Sequence, residues 1–327
     1  GLGRIGRMVI RSLIENNNKK IEIKHINSRS GPEIMSSLLK HDSIHGNLDS
    51  KIKHGKNYLN INDKKITFSQ HSNLNDIKWK NFGVDYVLEC TGKFNSKDKL
   101  IAHLKNGAKK VIVSAPCKNS DKTIVYGVNH KSINKNDLVI SAASCTTNCL
   151  APVAYVINKD FKIEKGFMNT IHSYTTDQRL LDNSHKDPRR ARSAGQSIIP
   201  TSTGASKAIG EIIPELKGKL EGLAMRVPTP NVSLIDLVFY SKNKLSIKKI
   251  NDCFIHASKK ELKNVLEVTE ERLVSIDFNH NPSSAIVDLS LTSVVGGNMG
   301  KVSAWYDNEW GFASRMCDIV EYLKKPS

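Results

Sequence analysis

The sequence predicts two domains, an α/β domain followed by an α+β domain with a large mixed or antiparallel sheet. Three observations carry this prediction. The 327 residues exceed one typical domain. Over roughly the first 145 residues, short apolar runs alternate with stretches of helical periodicity, the pattern of a mostly parallel sheet with crossover helices. From about residue 163, strand-like segments lengthen and helices fall between them.

The chain opens Gly1-Leu-Gly-Arg-Ile-Gly6, and Ile5, Val9, Leu13 and Ile14 follow at helical spacing, so a helix starts within the glycine loop. After the Asn16–Asn18 turn, Ile21–Ile26 reads as a strand. Val84–Leu88 reads as another. Asn95 or Ser96 caps a helix that Gly107 ends, and Lys110–Val113 is the next strand, completing a βαβ unit. The apolar Leu138–Ile140 leads into Ser141-Ala-Ala-Ser-Cys-Thr-Thr-Asn-Cys-Leu-Ala-Pro152, after which Leu150, Val153, Ala154 and Ile157 mark a helix. Pro152 belongs either in a first turn or at a kink. Met225–Pro230, Val232–Tyr240 and Ala285–Ser293 are the longer strands. Phe312, Met316, Ile319, Val320 and Leu323 form a closing helical stripe that needs a groove.

Composition narrows the function class. The chain is 39% hydrophobic, without an uninterrupted apolar run of membrane-spanning length and without a signal-peptide layout at its start. A cytoplasmic protein with no membrane partner is expected. Six cysteines, scattered and without CxxC pairing, suggest a reducing compartment and no metal site. The formal charge of +17 reflects lysine spread over the whole sequence rather than an aromatic-studded basic stripe, so any nucleic-acid binding is expected to be weak and salt-sensitive.

Two constellations carry chemistry. In a dinucleotide fold Gly1 allows a tight turn, Gly3 lets the backbone approach a pyrophosphate, and Gly6 lets helix and strand pack. Arg4 and Ile5 start the helix whose N-terminus faces the phosphates. The strand that should precede this fingerprint is missing from the sequence, which begins on its first glycine; an N-terminal crop is expected. Position 28, where an acidic residue usually holds the adenosine ribose of NAD, is Ser28 beside Arg29, which removes the repulsion toward a 2′-phosphate. The plainer alternative is a surface turn with a solvated arginine. Cys145 falls at a helix N-terminus, where the dipole favours a thiolate, whereas Cys149, one turn later, faces the interior. His172, among the hydroxyls of Thr170–Thr176, completes a Cys–His pair, the minimal activated nucleophile. Arg189–Arg192, Thr201–Gly204 and Arg226 supply groups for holding phosphate.

Five blocks, SCTTN around Cys145, HSYTTDQ around His172, PTSTGASKA at 200–208, LAMRVPTPNVS at 223–233 and WYDNEWG at 305–311, occur in the order and spacing of the phosphorylating glyceraldehyde-3-phosphate dehydrogenases. The chain resembles that family from the glycine loop to its end. The resemblance implies a Rossmann-type dinucleotide-binding domain over 1–144, a catalytic domain over 145–308, a C-terminal helix over 309–327 packing back on the first domain, and a homotetramer. It implies attack by Cys145 on a small phosphorylated aldehyde, with His172 lowering the thiol pKa and accepting the proton as hydride leaves. Ser144, Thr146, Thr203 and Gly204 match the site for inorganic phosphate. Thr175, Asp177 and Arg226 match the site for the substrate's own phosphate, and Arg190 or Arg192 joins one of the two. Asn308 matches the residue holding the nicotinamide carboxamide, and Thr91 and Ser114 line the coenzyme groove.

Two departures bear on the coenzyme, NADP or NAD. Ser28 replaces the family's usual Asp, and Asn183-Ser184, in a loop that a neighbouring subunit presses toward the coenzyme, resembles the form found in NADP-using members. Phe312 stands where Tyr is common after EWG. The nearest rival activity is an erythrose-4-phosphate dehydrogenase, which shares the Cys–His pair; the intact PTSTGASK block favours glyceraldehyde 3-phosphate. A basic RNA- or membrane-associated role and a Cys–His hydrolase are the readings from other classes. The hydrolase leaves the glycine loop without a purpose.

Overall fold

Helix α1 (Arg4–Glu15) begins where the opening glycines end, with Gly3 extended at the cap position and no side chain capping the first turn. Its inner face, including Met8, Val9 and Leu13, is buried. A computed structural model describes residues Gly1–Lys324. The chain divides into two units, one of Gly1–Ile124, His130–Ala143 and the segment from Ala313, the other of Val125–Asn129 and Ser144–Phe312. Relative to the boundaries at 144/145 and 308/309 expected from the sequence, Ser144, Val125–Asn129 and residues 309–312 group with the second unit.

In the first unit, β1 (His25–Asn27), α2 (Pro32–Lys40), the short pair β2 (His41–Asp42) and β3 (Gly46–Asn47), then β4 (Ile52–Gly55), β5 (Tyr58–Ile61) and β6 (Lys64–Ser69) follow α1. Only β1 is realised of the strand expected over 21–26; Ile23 packs against the core, but residues 21–24 pair with no strand among the described residues. The second half of the unit supplies β7 (Tyr86–Glu89), α3 (Lys97–Lys105), β8 (Lys110–Val113), β9 (Lys122–Thr123) and β10 (Val139–Ser141). Instead of one mostly parallel sheet there are two. The order β7-β8-β10-β9 is parallel throughout, whereas β1-β6-β5-β4 is mixed. The antiparallel pairing has a local reason. Asn62 and Asp63 both take positive φ between Ile61 and Lys64, a two-residue turn that matches strand twist and folds β5 back onto β6. Ser96 sits at the N-cap of α3 but its hydroxyl accepts no backbone N–H; the Lys97 N–H instead donates to the Lys118 carbonyl.

The second unit starts with α4 (Cys145–Phe161), then β11 (Ile163–Ser173), β12 (Ile199–Ser202), α5 (Ala205–Ile212), β13 (Leu220–Val227), β14 (Ser233–Ser241), α6 (Ile247–Lys259), β15 (Leu266–Thr269), β16 (Ala285–Asp288), β17 (Ser293–Val295) and β18 (Met299–Tyr306). Strands β12-β13-β11-β14-β18-β16-β15 form one mixed sheet, with β17 on β18. The expected strand over 285–293 is broken at Asp288, whose carboxylate caps a tight turn through the Ser290 N–H and hydroxyl. Alternation along β11 turns Met168, Thr170 and His172 inward and leaves Phe167 exposed. Helix α4 buries Leu150, Val153, Ala154 and Ile157 completely, and each larger apolar side chain contributes about 1.5–3 kcal/mol of transfer free energy. Pro152 lies inside this helix, where it removes one i→i−4 bond without ending it.

Helix α7 (Trp310–Leu323) closes the chain, with Met316 and Ile319 fully buried. Its later residues bind within the first unit: Asn18 and Lys20 hold the Glu321 carboxylate, and the Tyr86 hydroxyl donates to the Leu323 carbonyl at 3.1 Å.

Candidate active site

The turn into α4 is built from small residues. Ser141 Oγ accepts from the Ala143 N–H at 3.1 Å and donates to the Ala115 carbonyl at 2.8 Å, holding Ala143 buried at φ 57°, a conformation that costs an L-residue of order 1 kcal/mol. Ser144 is the N-cap of α4 and its hydroxyl accepts from the Thr147 N–H at 3.1 Å. Cys145 is therefore the first helical residue. Its Sγ lies 3.5 Å from His172 Nε2, while Cys149 Sγ is buried against the Ala304 carbonyl at 3.8 Å.

Two groups compete for the other ring nitrogen. His172 Nδ1 is 2.7 Å from the Ser173 carbonyl, and Arg226 Nη1 is 2.6 Å from Nδ1 and 3.1 Å from the same carbonyl. The carbonyl can only accept, whereas Arg226 has that carbonyl as an alternative acceptor. We assign the proton to Nδ1, which leaves Nε2 to accept from the Cys145 thiol. Burial, then the Arg226 charge, holds the His172 pKa down to about 3, with the Ser173 carbonyl opposing. Burial pushes the Cys145 thiol up; the Arg226 charge and the N–H and hydroxyl of Thr146 oppose it. The sequence assigns lowering of the thiol pKa to His172, but in this geometry Arg226 leads the opposition to burial. A thiolate here is supported by Arg226, Thr146 and the helix N-terminus together.

Tyr306, not singled out in the sequence although it lies within the WYDNEWG block, ties the pair to the sheet. Thr170 Oγ1 donates to the Leu234 carbonyl and so accepts from the Tyr306 hydroxyl at 2.9 Å; Thr146 Oγ1 then donates to Tyr306 at 3.0 Å. Asn308 Oδ1 accepts from the hydroxyls of Ser173 and Ser233 at 2.8 and 2.9 Å, which fixes which end of its amide is left to bind elsewhere.

The residues expected to bind anions separate. Asp177 pairs with Arg190 and lies 3.7 Å from His185 Nε2, and both Arg190 and Asp177 act electrostatically on Arg226. The Thr175 N–H donates to Gln178 Oε1 at 3.2 Å. Arg192 instead pairs with Asp182 at 2.8 Å, both side chains exposed. Of the two arginines left open by the sequence, Arg190 is thus the one grouped with Asp177 and Arg226. Thr203 and Gly204 lead into α5, where Thr203 Oγ1 accepts the Ala205 N–H at 3.2 Å. Ser184 is exposed and its carbonyl accepts both Arg179 Nε and Nη2.

In the first unit, a Cβ on Gly6 would lie 2.1 Å from the Gly1 carbonyl oxygen and one on Gly1 would lie 2.7 Å from Thr91 Cγ2, so neither position admits a side chain without rearrangement. Gly3 is exposed, and the uncapped first turn of α1 faces outward. This cradle fits a pyrophosphate. Ile5 is half-buried, and the Arg4 guanidinium engages Asp42 rather than standing free for a ligand. Ser28 is buried and pinned through its N–H to the Ser69 carbonyl at 3.1 Å, Arg29 is exposed, and Thr91 and Ser114 follow the ends of β7 and β8.

Residues 144–308 match the glyceraldehyde 3-phosphate dehydrogenase C-terminal domain, and residues 1–97 match the NAD binding domain of the same dehydrogenase. The chain belongs to the glyceraldehyde-3-phosphate dehydrogenase family. It is accordingly an NAD-dependent oxidoreductase with a Rossmann-type nucleotide-binding domain and a catalytic domain. Among its relatives, a glyceraldehyde-3-phosphate dehydrogenase of Xanthobacter flavus is 50% identical over 325 residues, covering 99% of this chain and 97% of the relative. One from Cereibacter sphaeroides is 49% identical over 98% of this chain and 96% of the relative. Glyceraldehyde-3-phosphate dehydrogenase 2 of Bacillus subtilis is 47% identical over 100% and 97%. Among the described residues no helix is long and apolar enough to cross a membrane.

Proposed function

We propose that this glyceraldehyde-3-phosphate dehydrogenase works through a thioester on Cys145, with His172 moving the proton. The 3.5 Å contact between Cys145 Sγ and His172 Nε2 at the head of α4 is the observation that carries the assignment. The Cys145 proton passes to Nε2 as sulfur adds to the aldehyde carbon, and from Nε2 to the new oxyanion, giving a hemithioacetal. A nicotinamide held by Asn308 and the glycine loop would supply the hydride acceptor for that carbon. His172 then takes back the hydroxyl proton and the C–O double bond re-forms as a thioester. An oxygen of hydrogen phosphate adds to the thioester carbonyl, the C–S bond breaks, and the acyl phosphate departs; the leaving sulfur takes the proton held on His172, restoring thiol and neutral base, and the proton of the attacking phosphate is released to solvent. Sulfur suits this role because a thioester transfers its acyl group more readily than the ester a serine would form.

Ser144, Thr146, Thr203 and Gly204 would hold the attacking phosphate, and Thr175, Arg190 and Arg226 the phosphate of the substrate, with Asp177 orienting Arg190 through their ion pair. Asn308 would hold the nicotinamide carboxamide through the amide nitrogen left by its two serine contacts. Gly1, Gly3, Gly6, Thr91 and Ser114 would hold the dinucleotide. NADP is used at least comparably with NAD, because the neutral, buried Ser28 exerts no charge repulsion on a 2′-phosphate, Arg29 is exposed beside it, and Ser184 of a neighbouring subunit would add a donor. The assembly is a homotetramer in the cytoplasm. Supporting self-association, Phe167, Leu223, Val238 and Tyr240 leave an apolar outer face on the large sheet, Phe167 directly opposite Val238.

The test is a pair of substitutions. Cys145→Ser should nearly abolish phosphate-dependent oxidation of glyceraldehyde 3-phosphate, while Cys149→Ser should retain much of it. Equal loss in two folded variants would overturn the assignment of the nucleophile.

A further inference from the structure

A buried polar chain runs beneath the coenzyme cradle in the first unit. Trp79 Nε1 donates to His103 Nδ1 at 2.9 Å, and His103 Nε2 faces Glu89 Oε2 at 3.3 Å. Indole can only donate, so His103 Nδ1 is an acceptor and its proton sits on Nε2, aimed at the carboxylate. The other carboxylate oxygen, Oε1, accepts the Thr91 N–H at 2.7 Å, and the Glu89 backbone carbonyl accepts the Ser114 N–H at 3.0 Å. The side chains of His103 and Glu89 are 2% and 4% exposed. Thr91 Oγ1 in turn accepts the Lys93 N–H at 3.1 Å across Gly92, whose φ is +69°.

We infer that Glu89 is a positioning residue for the coenzyme: oriented by His103 and Trp79, its carboxylate fixes the Thr91 turn, which lies against Gly1 of the glycine loop. A buried carboxylate needs compensation, and burial alone would raise the Glu89 pKa; the contacts from His103 and Thr91 outweigh it and keep the group ionised. The direction of donation along the chain makes an amide unfit at position 89. In Glu89→Gln one oxygen can serve Thr91, but the amide nitrogen then faces the His103 N–H, donor against donor, and the Trp79 N–H prevents the imidazole from moving its proton to the other nitrogen. This inference rests on the coenzyme assignment above.

Equilibrium binding by calorimetry, with aldehyde withheld, tests it on the full protein using whichever of NAD⁺ and NADP⁺ the wild type binds more tightly. Glu89→Gln should weaken binding by about 10- to 50-fold and raise the coenzyme KM in parallel, with kcat within about threefold. Trp79→Phe in the Glu89→Gln background should restore binding to within about fivefold of wild type, because His103 is then free to carry its proton on Nδ1 and accept from Gln. Unchanged binding in folded Glu89→Gln, or a double variant as weak as the single one, would overturn the inference. Should Glu89→Gln not fold, His103→Gln, which can donate to Glu89 and accept from Trp79, should retain coenzyme binding, and His103→Leu should lose it; equal affinities would overturn the proposal. A wild type that binds neither coenzyme would refute the coenzyme assignment instead.

Discussion

Replacing Arg226 by Gln should move the alkylation of Cys145 to higher pH. The guanidinium is the leading group opposing the burial that raises the thiol pKa. Arg226 Nη1 lies 2.6 Å from one nitrogen of the His172 ring and Cys145 Sγ lies 3.5 Å from the other. With the imidazole between them, a thiolate and the guanidinium are separated by roughly 7 Å, worth about 2 kcal/mol at an effective dielectric of about 20. At about 1.4 kcal/mol per pH unit, the alkylation midpoint should rise by roughly 1.5 pH units. The thiolate fraction below the midpoint then falls about 30-fold, but a more basic thiolate is a better nucleophile and recovers about 5-fold, leaving a net loss of roughly 5- to 10-fold at pH 8. The assay is the pH profile of iodoacetamide labelling, followed by mass spectrometry of the Cys145 peptide. Arg226→Lys, which keeps the charge, should lie close to wild type. Arg192→Gln should lie on the wild-type curve, because Arg192 is exposed and paired with Asp182. An unchanged midpoint in a folded Arg226→Gln variant would refute the electrostatic account of the thiol.

Ser28→Asp should restore selectivity for NAD chiefly by penalising NADP, read as the ratio of kcat/KM for the two coenzymes; a wild type already favouring NAD by a hundredfold, on the order of 3 kcal/mol, would show that the neutral residue was misread. Tyr306→Phe should cost about 1–2 kcal/mol in denaturant unfolding, since a buried hydroxyl bonded to Thr146 and Thr170 is lost, and a cost below 0.5 kcal/mol would mean that the two threonines find other partners. Asp42→Asn should destabilise by about 2–4 kcal/mol at pH 7 by breaking the pair with Arg4. Burial raises the Asp42 pKa, but Arg4 and the N–H groups of His45 and Ile44 outweigh it and hold the carboxyl well below the ordinary range. Its contribution is therefore full above the unfolded-state pKa of about 4 and is lost as pH falls below it, so the gap between variant and wild type should close in acid; a pH-independent gap would contradict that linkage.

The parts of the fold that were legible in the sequence are those with one face to bury. The stripe of α4 and the stripe Phe312, Met316, Ile319 and Val320 of α7 are buried as their spacing requires. The run Lys110–Val113 is β8 residue for residue. What the sequence misled about was pairing. The first domain holds a parallel sheet and a separate mixed one, and the Asn62–Asp63 turn, a signal present in the sequence but outweighed by the βαβ pattern, gives the mixed one its antiparallel β5–β6 pair. The break at Asp288 was hidden for the same reason: a capping carboxylate reads as one polar residue in an apolar strand until its partners are known.

The site shows a sharper version of this limit. Motif blocks brought Cys145, His172 and Arg226 forward as residue types suited to nucleophile, base and anion holder, and the fold does place the three within one chain of contacts. Their protonation is a different matter, because it depends on distances and burial that spacing does not encode. A histidine beside a cysteine suggests an ion pair, yet burial acts against charge on both partners, and the nearest cation presses on the side of the ring away from sulfur. That arrangement disfavours a protonated imidazole and favours a thiolate, so Arg226 biases the pair toward a neutral base and a charged nucleophile. In the proposed cycle both are needed in turn, the thiolate to add to the aldehyde and the neutral base to receive the proton when hydride leaves. One half-buried cation thus serves both halves of the proposed cycle, and this is why its removal should disturb the chemistry more than the loss of any exposed arginine in the Arg189–Arg192 run.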